Sequence, residues 1–186
     1  RCGVQRYTFP KAEASVFLNL KKAMNWDFTL DSRIEVVDSM TIRGYRFSQG
    51  WSPLQHVYFE TRFSKPFVAC HMDTTSIVTK DRGWIGTAYI ARFDFNTEKD
   101  EEILVTTGIS GVSMEGAGKN LRAEAPKDDF DYYQMQAAKT WNKQLSKIEV
   151  KSPDTDDLVK FYTALYHSMI APTVYSDVDG SYYGPD

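Results

Sequence analysis

An antiparallel β-sandwich followed by α-helices is the fold class this sequence predicts, and three observations predict it. Eight short runs with two-residue alternation fill roughly the first hundred residues, with no helical pattern between them. Aromatic residues make up 14% of the chain, with 11 Tyr and 11 Phe among them, an excess that suits strand packing. Beyond Gly108 the apolar spacing changes from two to three and four, the period of a helix. Strands first and helices second is the order of an α+β chain or of two consecutive domains.

The predicted strands run over 3–9, 15–20, 33–37, 41–47, 56–63, 67–72, 85–95 and 103–107. The clearest is 56–63, where Val57, Phe59 and Phe63 face one way and His56, Tyr58, Glu60 and Arg62 the other, the mark of a half-buried strand. Pro10, Asn25-Trp26-Asp27, Gly50, Pro53, Ser64-Lys65-Pro66, Asp81-Arg82-Gly83 and the charged 98–102 segment separate the runs. Ser113 is placed to cap a short helix carrying Ala117, Leu121 and Glu124, which Pro126 ends. From Asp128 the residues Phe130, Tyr133, Ala137, Trp141, Leu145 and Ile148 mark an amphipathic helix of about five turns. Ser152-Pro153-Asp154 supplies cap and first-turn residues for a third helix, with Leu158, Phe161, Tyr162, Leu165 and Met169 on one stripe and Pro172 beyond its end. Three helices are too few for an independent bundle. Their stripes are expected on the sandwich or, by preference, on helices beyond residue 186.

Charge and composition narrow the function classes. A net charge of −3 without a basic run argues against a nucleic-acid partner, and no apolar stretch approaches the roughly 20 residues of a membrane span. The amino end, Arg1-Cys2-Gly3-Val4, has neither initiator Met nor signal-peptide pattern, and Asp186 follows no closing element; a segment of a longer polypeptide is expected. Cys2 and Cys70 leave open a bridge, two thiols or one of each, and neither has a Cys or His at metal-ligand spacing.

The chemistry concentrates at the carboxyl end, where Ser176-Asp177-Val178-Asp179-Gly180 is followed by Tyr182, Gly184 and Asp186. Paired carboxylates beside a glycine and tyrosines can grip a cation or sugar hydroxyls through charge-assisted hydrogen bonds; they can equally make local turns with the backbone. Registering Gly180 as the invariant glycine of a helix-loop-helix calcium site puts Tyr175 at the first ligand position, so that match fails. His167, His56 and His71 lack partners at ligand spacing, Ser110 and Ser113 lack a nucleophile-elbow pattern, and no phosphate-binding glycine loop occurs. Tyr45, Trp51 and Trp84 sit beside turns at strand ends, where aromatics either stack on sugar rings or pack.

Ordered motifs along the chain resemble the α-mannosidases of glycoside hydrolase family ninety-two. Gly44-Tyr45-Arg46, Gly50-Trp51, Gln55-x-Val57-Tyr58-Phe59 and Phe63-Ser64-Lys65-Pro66-Phe67 are similar to that family's amino-terminal sandwich. Gly108-Ile109-Ser110-x-Val112-Ser113-x-Glu115-x-Ala117-x-x-Asn120-Leu121-x-x-Glu124 resembles its junction segment, Trp141-Asn142 its linker helix, and Phe161-Tyr162-Thr163-Ala164-Leu165-Tyr166-His167-Ser168 its first toroid helix. The acidic loop completes the series.

The resemblance implies a galactose-mutarotase-like supersandwich over 1–112 with its amino-terminal part missing, linker helices over 113–151, and the truncated start of an (α/α)6 catalytic toroid over 152–186. It implies an exo-acting, inverting, calcium-dependent α-mannosidase, α-1,2 by preference, acting on mannose-containing glycans such as N-glycans at a secreted, periplasmic or cell-surface address. Inversion needs a general acid and a carboxylate base with space for water between them. In the family the acid, the base and the Ca2+ ligands come from the later toroid, so none is assigned before residue 186 and the chain alone is expected to be inactive. What carries over is the acidic loop: Asp177 and Asp179 as hydroxyl-binding carboxylates, with Ser176, Tyr182 and Asp186 orienting it. The alternative is a non-catalytic carbohydrate-binding sandwich.

Overall fold

The computed structural model describes residues 1–22, 26–79 and 84–184. Eight strands precede three helices: β1 (Cys2–Phe9), β2 (Ala12–Asn19), β3 (Phe28–Val36), β4 (Thr41–Gln49), β5 (Gln55–Phe63), β6 (Ala69–Thr79), β7 (Trp84–Thr97), β8 (Glu101–Ser110), α1 (Met114–Glu124), α2 (Phe130–Leu145) and α3 (Thr155–Ser168). They form a five-stranded sheet in the order β1-β8-β5-β4-β3 and a three-stranded sheet in the order β2-β7-β6. Every pairing is antiparallel.

The two-residue period puts one face of each sheet into a shared core. Ile34, Ile42, Phe59, Phe63, Ile103 and Val105 come from the first sheet and Ala91, Phe93 and Phe95 from the second. The Phe63 ring lies 5.3 Å from that of Phe93 and 5.5 Å from that of Phe95, so the sheets interlock through aromatic contacts. Full burial of each such side chain stabilises the fold by about 2 kcal/mol. The sequence reading of 56–63 holds for the inner face, where Phe59, Thr61 and Phe63 are buried.

Its outer face is not left to water. Glu60 pairs with Arg122 of α1 at 3.1 Å, and Arg62 donates to the carbonyl of Ala125 at 3.1 Å, because α1 lies across β8 and β5. Of the two partners expected for the helical stripes, the sandwich and not the preferred later helices serves α1: its stripe, Ala117 and Leu121 included, is buried on the first sheet.

Boundaries moved for local reasons. β3 begins five residues before the predicted start, because Thr29 and Ser32 are buried with hydroxyls satisfied by the Leu20 carbonyl and the Tyr89 amide. β8 runs on through Ser110, beyond the glycine that suggested a change of structure. Ser113 caps α1 as predicted, accepting from the Gly116 amide at 2.9 Å. The cap of α3 is Asp154 and not Ser152, whose hydroxyl instead accepts from the Asp154 amide. Cys2 and Cys70 are both free thiols.

Residues Arg1–Asp128 and Ser176–Asp186 form one compact unit, and Asp129–Tyr175 a second. Within the second, α2 and α3 meet through Trp141 and Tyr166, ring centroids 4.5 Å apart and near edge-on, and the Tyr162 hydroxyl donates to the Ile148 carbonyl at 3.1 Å. Neither helix buries a residue fully. Among the described residues no helix is long and apolar enough to cross a membrane.

Candidate functional site

The end of β8 and the inner side of α1 build the seat of the acidic loop. The Ser110 hydroxyl accepts the Val112 and Ser113 amides at 2.9 and 3.2 Å, leaving its one hydrogen to donate to Asp177 Oδ2 at 2.6 Å. Asn120, fully buried on the α1 stripe, donates through Nδ2 to the Ile109 carbonyl and to Asp177 Oδ1, both at 2.8 Å. Its Oδ1 accepts the Val178 amide at 2.8 Å. Asn120 thus uses both ends of its amide to hold sheet and loop together, and Asp177 has both oxygens engaged by neutral donors at 4% exposure.

Two glycines make this approach possible. A Cβ on Gly116 would lie 2.3 Å from Asp177 Oδ2, so only a bare α1 backbone lets the carboxylate in. Gly180 adopts φ +84, the left-handed conformation that side-chain-bearing residues resist, and its amide donates to the Asp177 carbonyl at 3.0 Å. The Asp177 amide in turn donates to Ser181 O at 2.7 Å, closing the turn on itself. Arg1 Nε donates to the Ser176 carbonyl at 2.6 Å and fastens the loop to the start of β1.

Asp179 has the opposite surroundings. It is exposed, with Lys119 Nζ 2.8 Å from Oδ2 and the Ser181 amide 3.1 Å from Oδ1. The hydrogen bond from Lys119, helped by the Ser181 amide, holds its carboxyl well below the usual carboxylate range, and Lys119 is pushed up in return. Asp179 therefore offers an ionised, solvent-facing acceptor, while Asp177 serves as a buried structural clasp with each oxygen bonded by a neutral donor.

Of the residues read from the sequence, Asp177, Asp179 and Ser176 are brought together on one turn, and Tyr182 follows with its ring 65% exposed. Asp186 lies outside the described residues. Tyr183, not singled out from the sequence, packs edge-on against His56 at 4.9 Å. Sequence reasoning also missed Lys119, Gly116 and the role of Asn120. A signal for Asn120 was present, since it sits three residues after Ala117 on the stripe that should be apolar.

Calcium is implied by the family resemblance. Among the described residues no group of three or more His, Cys, Asp or Glu converges to hold a metal ion, Asp177 is buried with each oxygen bonded to a neutral donor, and Asp179 faces an ammonium group. These residues do not fit a calcium ion, and none of the chemistry they perform runs through one.

The sequence profile of the glycosyl hydrolase family 92 N-terminal domain matches residues 1–110, and that of the family 92 catalytic domain matches 116–186. The chain belongs to glycosyl hydrolase family 92. Consistent with this, a family 92 α-mannosidase from Bacteroides thetaiotaomicron is 28% identical, with a TM-score of 0.85 over 99% of this chain and 26% of its own. Its complex with mannoimidazole gives 28% identity and 0.85 over 99% of this chain and 25% of that one. A family 92 inverting mannosidase from Bacteroides thetaiotaomicron VPI-5482, at 22% identity, shares the fold at a TM-score of 0.81 over 100% of this chain and 25% of its own. The chain spans about a quarter of the length of these structures. No curated protein matches it. In this family 92 chain, Ser110 falls at the end of the N-terminal match and Gly116 at the start of the catalytic match, so the clasp on Asp177 straddles the join between them.

Proposed function

We propose that this chain is the sandwich-to-toroid portion of an exo-acting, inverting α-mannosidase that removes terminal α-mannosyl residues, α-1,2-linked by preference, from glycans such as N-glycans. The observation that carries the reading is the succession of both family 92 matches along one chain, supported by a 28% identical α-mannosidase that aligns over 99% of it. The proposal includes a secreted, periplasmic or surface address, a calcium requirement met by residues beyond 186, and partners limited to mannose-containing glycans and the remainder of the same polypeptide.

In this reading Asp179 accepts a hydrogen bond from a mannose hydroxyl, displacing Lys119, while Asp177 fixes the turn that presents it. A charged, exposed acceptor on a turn held at both ends keeps its backbone position when sugar arrives, and the Lys119 pair is the contact that gives way. The acid and the water-activating base of inversion come from the later toroid, so residues 1–186 alone release no mannose.

The test is release of mannose by the longer enzyme, with and without a chelator. Asp179→Asn is expected to lower kcat/KM about a hundredfold, a loss of near 3 kcal/mol in transition-state stabilisation. Full activity in that variant would remove Asp179 from the site, and activity indifferent to chelation would remove the metal.

A further inference from the structure

Most aromatic side chains on the outer face of the first sheet protect one another. Tyr45 stacks on Phe47 at 4.4 Å, Phe47 meets Tyr58 at 5.5 Å, and all three are half-buried. Trp51 behaves differently. It is 93% exposed, lies in the β4–β5 loop, and stacks on Trp26 of the β2–β3 loop with centroids 6.1 Å apart and ring planes 19° from parallel. Trp26 is itself 49% exposed. Two loops distant in sequence set one indole beside another and present a broad flat apolar face.

The pair is supported from below. Asp27, next to Trp26, accepts from Arg46 at 2.6 Å through Oδ1, and Arg46 Nε is held by the Leu20 carbonyl and the Thr29 hydroxyl at 3.1 and 2.9 Å. The Gly50 amide, next to Trp51, donates to the Ser52 carbonyl at 3.0 Å, and the Ser52 hydroxyl donates to the Leu54 carbonyl at 2.9 Å. Gly50 sits directly against Asp27, whose Oδ2 lies 3.2 Å from where a Cβ on Gly50 would be. A flat apolar face beside a carboxylate is the chemistry that recognises a pyranose: one face of the ring presents polarised C–H groups to the indole π cloud, and hydroxyls at the rim donate to the carboxylate.

We propose that Trp51 and Trp26, with Asp27 Oδ2, form a stacking site for one pyranose ring of a mannose-containing glycan, contributed by the sandwich and separate in sequence from the acidic loop. The glycan assignment rests on the mannosidase reading; the site itself rests on the stacked indoles.

The test titrates linear α-mannotriose into the 186-residue chain, followed by calorimetry and by the indole N–H resonances of the tryptophans. Saturable shifts at Trp51 and Trp26 are expected, with affinity at least tenfold weaker in Trp51→Ala and partly kept in Trp51→Tyr. Unshifted Trp51 resonances, equal affinity in Trp51→Ala, or concentration-dependent self-association abolished by Trp51→Ala would each overturn the site, the last by giving the face to a second copy. Mannose release by the longer enzyme without glycan binding here overturns this site and leaves the activity standing; binding at Trp51 in an enzyme that never releases mannose does the reverse.

Discussion

The seat of the acidic loop and the α2–α3 pair are built on different principles. Around Asp177 every side-chain polar atom of Ser110 and Asn120 has a partner at 2.6–3.2 Å, within a buried space too small for a methyl group. Between α2 and α3 the Trp141–Tyr166 ring contact and the bond from the Tyr162 hydroxyl to the Ile148 carbonyl are seen, each helix is capped by its own aspartate, and neither buries a residue fully. A buried hydrogen-bond network makes its geometry nearly all-or-none, because an unpaired member is costly, whereas an amphipathic pair yields gradually. A segment required to present a side chain at a fixed position therefore belongs with the first kind of construction.

The largest effect is expected from Asn120→Ala, which strips partners from Asp177 Oδ1, the Ile109 carbonyl and the Val178 amide at once. Denaturant unfolding should show a loss of about 2–4 kcal/mol. Gly116→Ala should come next, about 1–3 kcal/mol destabilising by the same measurement, although alanine ordinarily favours a helix over glycine by about 1 kcal/mol; a more stable variant would mean that Asp177 is not clasped against α1. In the second region Asp154→Ala removes the α3 cap and should weaken that helix by about 1 kcal/mol, read as reduced far-UV helical signal.

Lys119→Ala is expected to do least to stability, because the pair it breaks is solvent-exposed. Its effect appears in titration. The carboxyl of Asp179 is depressed in the folded state from its ordinary 3.8, so its stabilising contribution is complete above that value and is lost only as pH falls through the lower folded value. Removing Lys119 should raise the titration midpoint of Asp179, followed by carboxyl NMR; an unmoved midpoint would deny the pairing.

Much of this was legible in the residues. The alternation of Val57, Phe59 and Phe63 announced an inner face correctly, since period-two patterns report burial directly. What covers the outer face could not be read, because Glu60 and Arg62 look the same whether they meet water or the backbone of α1. Ser113 announced its cap through local chemistry, while Ser152 and Asp154 offered two competing oxygens two residues apart, and spacing does not rank them. Asp177 and Asp179 were indistinguishable by pattern; their separation into a buried, clasped carboxylate and an exposed one paired with Lys119 depends on Ser110, Asn120 and Lys119, far away in the chain.

The bond from Ser110 to Asp177 joins residues 67 apart, and that from Asn120 to Asp177 joins residues 57 apart. During synthesis the sandwich and α1 can assemble while Asn120 still waits for its acceptor, and completion requires closing a long excursion at an entropic cost that rises only slowly with its length. Polypeptide stopped anywhere before Asp177 would hold a ready socket with nothing to plug into it, so a nascent sandwich should be distinguishable from a finished one by faster amide exchange along α1.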